Sequence, residues 1–331
     1  MSSYQSIHLV QRPLTHIEAS CFELREHSTH ALAEGQFRVK QTHMSLDPAM
    51  RGWMSADTDS YIPPVALGDV MRASGIAEVI ESNNANFPVG ASVMGMFGWT
   101  EQAVSDGTGV NIVPPGLPAE AVLAVLALPG MTAAQGLLEI AKPKAGETLL
   151  VSGAAGSVGS LVGQIAKAEG LRVIGVAGSD EKCRWLVEEL GFDGAVNYKT
   201  DDIAARVAEL TPDGVDIYFE NTGGAIQQVA VDNMNAFGRI VVCGMIADYN
   251  NETPSAGPNW ISVVKKRLSI QGFTMPDHFD RAPQLMQQVG GYLQAGKLQY
   301  RVHVLDGLAS AIDGINLLFS GENQGKLIVK L

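Results

Sequence analysis

Between Thr148 and Lys167 the chain reads TLLVSGAAGSVGSLVGQIAK. A short apolar run ends in glycines and alanines, and apolar residues then resume at helical spacing. Ala154-x-Gly156-x-x-Gly159 therefore falls where a strand turns into a helix, the setting of a dinucleotide-binding turn. In such a turn Gly156 would let the backbone approach a pyrophosphate, and Gly159 would let the helix lie close on the sheet. The helix N-terminus would supply N–H groups and partial positive charge for the phosphates. Read alone, the same residues also suit a turn that only packs a helix on a strand, so the surroundings decide.

Those surroundings alternate. After strand 148–152 and a helix to about Glu169, strands are predicted at 171–176, 195–198, 215–221, 238–244 and 268–273. Helices are predicted at 180–190, 201–210, 224–235 and 278–295. The alternation implies an α/β fold with a doubly wound parallel sheet covered by helices on both faces. The first ~125 residues differ. Short alternating runs at 35–47, 73–82 and 91–106 are punctuated by Gly, Pro, Asn and Asp, as in a barrel-like domain of short strands. From about residue 118 apolar residues return at helical spacing until Pro143 and Gly146. The tail, YRVHVLDGL and GKLIVKL, has the texture of the first domain. The predicted domains are 1–125 completed by 300–331, with 126–299 between.

A formal net charge of −12 argues against a nucleic-acid partner, which needs a basic surface. No run of 18 uncharged apolar residues is read, so no membrane span is expected. MSSYQSIHLVQRP lacks the basic region and apolar core of a signal peptide. Three scattered cysteines, Cys21, Cys183 and Cys243, do not make a disulfide framework. A cytoplasmic protein is the expectation.

The strand after the bare turn bears on which dinucleotide binds. NAD-binding folds place an acid near its end to hold the ribose hydroxyls. Here the strand ends VIGVAGSDEK, with Ala177 and Gly178 where the acid would stand and Lys182 and Arg184 in the next turn. No acid repels a 2′-phosphate and a lysine attracts one, so NADPH or NADP fits better. The alternative is a solvated helix face shared with Asp180, Glu181 and Glu188. Asp180 is expected to cap the helix.

GAAGSVGSLVGQIAK, GVAGSDEKCRWLVEELGFD, NYKT, DIYFENTGG, GRIVVCGMIADYN and NQGKLIVK resemble the medium-chain dehydrogenase/reductase superfamily. Within it they are similar to the zinc-independent prostaglandin reductase and leukotriene hydroxydehydrogenase family, with its alkenal reductase relatives. SLDPAMRGWM (45–54), SYIPPVALGDVM (60–71) and LPGMTAAQGLLEI (128–140) carry the resemblance into the first domain. It implies a GroES-like β-barrel catalytic domain, a Rossmann domain and a cofactor in the cleft. Residue by residue it implies Gly156, Ser157, Val158 and Gly159 at the pyrophosphate, and Gly178, Ser179, Lys182 and Tyr198 toward the adenosine phosphate. Asn221 would stand near the cofactor. Cys243, Gly244, Ile246 and Tyr249 would line its nicotinamide side, with Thr132, Phe273 and Asn323. Cys243 also reads as a small packing residue.

The chain lacks the Cys and His ligands of the zinc alcohol dehydrogenases, and LGDVM (67–71) stands where those carry Gly-His-Glu. His27 and His30 have helical metal spacing but no third ligand, so no metal is assigned. Without a Lewis acid, reducing an activated double bond is the easier chemistry. Hydride goes to the β-carbon of an enal or enone, and the enolate needs only hydrogen-bond donors. Tyr249 is the catalytic candidate, Tyr61 a second, and the cofactor ribose hydroxyl a competitor. Ala49, and Ala134-Gln135 after Thr132-Ala133, depart from the family pattern by smaller side chains, so the substrate class stays broad. Quinone reduction and NADPH binding without turnover are the rivals. Lys265-Lys266-Arg267 reads as a solvated helix end. Strand 268–273 reads as an edge across which the family's sheets join, so a homodimer is expected.

Overall fold

The computed structural model describes residues 3–331, so Met1 and Ser2 of the N-terminal segment lie outside the described residues. The punctuated first third gives seven short strands: β1 (Ser3–Leu9), β2 (Phe22–Ser28), β3 (Phe37–Ser45), β4 (Gly75–Ser82), β5 (Ser92–Gly95), β6 (Gln102–Ser105) and β7 (Asn111–Ile112). The alternating part gives β8 (Thr148–Val151), β9 (Arg172–Ala177), β10 (Gly194–Asn197), β11 (Val215–Glu220), β12 (Met234–Val242) and β13 (Ser269–Gly272). Two more follow, β14 (Val302–Asp306) and β15 (Lys326–Lys330). The chain divides into two units, one running to Leu123 and resuming at Val302–Leu331, the other Ala124–Arg301.

In the first unit β1 pairs with β2, and a mixed sheet runs β14-β15-β3-β4-β5-β7 with β6 also on β3. β15 is parallel to β14 and antiparallel to β3. Met44, Leu46, Met50, Met54, Trp99, Leu327 and Val329 close the core between them. The return of β15 is held by a buried charge: Lys326 Nζ donates to Asp47 Oδ1 and to the Leu46 carbonyl, both at 2.7 Å.

The second unit is a six-stranded parallel sheet in the order β10-β9-β8-β11-β12-β13. All four residues of β8 are buried, because helices cover both faces. Strand order reverses between β8 and β11, and such a reversal leaves a ligand crevice beyond their carboxyl ends.

Three local expectations are corrected. The predicted strand 238–244 begins earlier, at Met234, and stops at Val242, so Cys243 and Gly244 lie past its end. Phe237 interrupts it with φ +65°, its ring under the Arg267 guanidinium at 4.5 Å. The predicted helix 278–295 is an α-helix only over Ala282–Gln294, preceded by a tight 3₁₀ stretch at Met275–Arg281. Pro283, with φ fixed and no N–H, suits its first turn. The helical stretch Ala119–Ala141, which carries Glu120 and Glu139, is long and apolar enough for a membrane span by length and composition. With 89% of its window buried inside the structure, it is a core helix. The basic triplet is engaged too, since Lys266 Nζ donates to the carbonyls of Val231 and Asp232 at the end of helix Ala225–Asn233.

Candidate cofactor site

The turn after β8 shows why its residues are small, and the three reasons differ. Gly153 adopts φ +57°, a conformation that favours glycine. A Cβ on Gly159 would lie 2.3 Å from the Gly153 carbonyl oxygen, so close packing of helix on loop requires that glycine. A Cβ on Gly156 would meet only the same oxygen, at 3.1 Å. Packing within the protein demands little there, and the space is left for something else. Gly156 is the N-cap of helix Ser157–Ala168, and no side chain caps that helix. Ser157 Oγ is buried there without a hydrogen-bond partner. Donors of this kind at a helix start fit the phosphates of a dinucleotide.

The loop after β9 holds the next group. Ser179 is the N-cap, its Oγ accepting from the Lys182 N–H at 3.2 Å. Asp180, expected as the cap, is instead the first helical residue, and its carboxylate accepts from Asn197 Nδ2 at 2.8 Å. Tyr198 lies over Gly178: a Cβ there would stand 2.9 Å from its ring and its hydroxyl. Burial depresses the pKa of Lys182, repulsion from Lys199 depresses it further, and Glu181 partly offsets both. Lys199, whose ammonium sits 6.0 Å from the Tyr198 ring centroid, thus joins a cationic cluster that sequence reading missed. Its place in NYKT, beside an assigned tyrosine, was the available signal.

Beyond β11 and β12 the loops interlock. Asn221 Nδ2 donates to the Ser152 carbonyl at 2.8 Å. The N–H groups of Cys243 and Gly244 donate to the Glu220 carbonyl at 2.9 and 3.2 Å, and that of Ile246 to the Asn221 carbonyl at 3.2 Å. Burial and the Glu220 charge push the Cys243 thiol up to about 12, so it is not a thiolate at neutral pH. Tyr249 folds back over this loop with its hydroxyl 3.2 Å from the Met245 nitrogen. Thr132 is buried and donates to the Leu128 carbonyl at 2.7 Å. The Phe273 ring lies 6.4 Å from that of His278. In the first unit, Asn323 is buried and donates to the Gly325 carbonyl, while Tyr61 is exposed.

Comparison with known proteins gives this arrangement a family. Residues 5–113 match a family described as the N-terminal domain of oxidoreductase, and residues 157–290 one described as zinc-binding dehydrogenase. The chain is 41% identical over 294 residues to the NADP(+)-dependent 2-alkenal reductase of Nicotiana tabacum, covering 88% of this chain and 86% of that protein. It is 39% identical over 318 residues to the NADPH-dependent curcumin reductase of Escherichia coli, covering 94% and 92%. The crystal structure of Vibrio vulnificus CurA in complex with NADPH superposes with a TM-score of 0.93 at 38% identity, covering 98% of both chains. The chain belongs to the zinc-independent medium-chain dehydrogenase/reductases. Its residues do not fit the metal in the second family's description. Among the described residues no three His, Cys, Asp or Glu side chains gather as a metal site. Cys21 is buried in the apolar core, and His27 Nε2 is hydrogen-bonded with Ser6 Oγ at 2.6 Å. The medium-chain fold here presents a glycine-bare turn, a cationic cluster and an interlocked set of loops, all within one unit.

Proposed function

We propose that this NADPH-dependent oxidoreductase reduces the carbon–carbon double bond of α,β-unsaturated aldehydes and ketones. The observation that carries the reading is the turn at Gly153–Gly159, bare at Gly156 beyond what packing requires, in a chain about two-fifths identical to an alkenal reductase. NADPH, when bound, supplies the hydride that the substrate's β-carbon accepts.

Gly156, Ser157, Val158 and Gly159 hold the pyrophosphate through the uncapped N-terminus of their helix. Lys182 and Tyr198, with Gly178 and Ser179, hold the adenosine 2′-phosphate. Asn221, Cys243, Gly244, Ile246, Phe273 and Thr132 complete the cofactor's surroundings in this unit. Hydride addition moves charge to the carbonyl oxygen as an enolate, and the Tyr249 hydroxyl donates to that oxygen, since an ordinary phenol is protonated at neutral pH. A proton then reaches the α-carbon from the same hydroxyl or from water, and the saturated carbonyl leaves.

The partner assignment follows from the sheet edge. Among the described strands β13 pairs only with β12, and Trp260, Ile261 and Val264 just before it are exposed. A second copy adding its own edge would satisfy that strand, and sedimentation of the purified chain tests for the dimer. A panel of enals, enones and quinones, each with NADPH and NADH, tests the function. Turnover of an enone with NADPH is expected, and absence of turnover with every enone rejects the reading.

A further inference from the structure

Glu220 is 1% exposed at the carboxyl end of β11 and takes no part in the chemistry above. A buried carboxylate is costly unless hydrogen bonds gather on it. Glu220 Oε1 accepts from Ser152 Oγ at 2.7 Å and from the N–H groups of Thr222 and Gly223 at 2.8 and 3.0 Å. Ser152 Oγ in turn accepts from the Asn221 N–H at 2.8 Å. The main chain of Glu220 receives Cys243 and Gly244, and that of Thr222 receives Ala247 at 2.8 Å. One residue thus ties the loop after β8 to the loop after β11, and its backbone ties both to the loop after β12. Glu220 Oε2 is buried with no hydrogen-bond partner. A core side chain needed only to fill space would not carry a charge to this depth.

We propose that Glu220 is a positioning residue, fixing these three loops in one register and so setting the shape of the surface that receives the cofactor. The inference rests on the reading that NADPH binds at the Gly153–Gly159 turn. Asp216, at the opposite end of the same strand, offers a matched comparison. Its carboxylate accepts from the Thr148 N–H at 2.9 Å and from Asn235 Nδ2 at 2.8 Å, tying β8 and β12 at their amino ends, far from the turn.

The test titrates NADPH into the full chain by cofactor fluorescence and follows thermal unfolding without cofactor. Glu220→Ala leaves the donors of Ser152, Thr222 and Gly223 without this acceptor, and the NADPH dissociation constant is expected to rise about tenfold or more. Glu220→Gln keeps an oxygen for the same donors and is expected to stay within about threefold of the unaltered protein. Asp216→Ala lowers the melting temperature and leaves the dissociation constant unchanged. Should Glu220→Ala fail to fold, Ser152→Ala cuts the hydroxyl's links to Glu220 and to the Asn221 N–H and still raises the constant about threefold or more. Unchanged NADPH binding in the Glu220→Ala or Ser152→Ala protein overturns the proposal. So does a loss of affinity that follows the melting temperature equally in the Glu220 and Asp216 variants. If the unaltered protein does not bind NADPH at all, the cofactor reading falls together with the proposal.

Discussion

The phenol oxygen of Tyr249 accepts a hydrogen bond from the backbone N–H of Met245 at 3.2 Å, and the missing Cβ of Gly244 would stand 3.0 Å from that oxygen. The loop therefore holds the oxygen in place by the backbone on one side and by the absence of a side chain on the other.

Tyr249→Phe is expected to lower kcat about a hundredfold, the usual cost of one oxyanion donor, with NADPH affinity unchanged. Gly244→Ala pushes the same oxygen aside and is expected to copy the loss in part, although the hydroxyl is still present. Steady-state kinetics with direct cofactor titration checks both. An unaltered kcat in Tyr249→Phe would give the donor role to the cofactor ribose hydroxyl or to water.

Lys182 should choose the cofactor and make its binding pH-dependent. Burial and then Lys199 hold its pKa below the ordinary lysine value in the free protein. A bound 2′-phosphate favours the ammonium and raises that pKa, so the complex holds more proton than the free protein. NADPH affinity is therefore full below the depressed pKa of the free state and declines as pH rises through it, while NADH affinity changes little. Lys182→Ala should cost NADPH about 1–3 kcal/mol, spare NADH and flatten the profile. Dissociation constants for both nucleotides across alkaline pH settle the matter; equal weakening of the two would remove the 2′-phosphate argument.

Gly156 and Gly159, three residues apart in the turn, should behave as opposites. Gly159→Ala drives a methyl to 2.3 Å from a main-chain oxygen and should destabilise the second unit by about 1–3 kcal/mol. Gly156→Ala meets one atom at 3.1 Å, so the fold should survive with a small drop in melting temperature while NADPH binding weakens. Urea unfolding beside cofactor titration separates the two. Equal effects of both variants on stability would show that the bareness of Gly156 is structural.

In the first unit, Lys326→Met leaves the part-buried Asp47 carboxylate without its cationic partner and should cost about 3 kcal/mol. Adding Asp47→Leu removes the stranded charge and should recover much of the loss. A double-mutant cycle in urea measures the coupling, and a Lys326→Met protein as stable as the parent would contradict it.

The doubly wound sheet was legible in the sequence because its strands are buried on both faces and read as apolar runs, as in LRVIGV and VDIYFEN. The turn was legible because a backbone approached that closely excludes side chains. What stayed hidden depends on contacts far apart in sequence. Nothing local marks Glu220 as the acceptor for Ser152, 68 residues away. Ser179 and Asp180 are both good caps by type, and it took Asn197 to draw the aspartate away. The early start of β12 depends on an irregular pairing with β11 between Val215 and Ile217, which periodicity does not carry.

The place of β15 beside β3 has a further consequence for how the molecule is made. A ribosome releases residues 124–301 before it releases the strand that pairs Ile328 with Ser45. The parallel unit is complete while its neighbour still lacks an interior strand, so the nascent polypeptide must keep the flank of β3 from foreign pairing until β15 has emerged. A chain cut between Val302 and Lys326 would thus keep the parallel unit and leave the other open to aggregation.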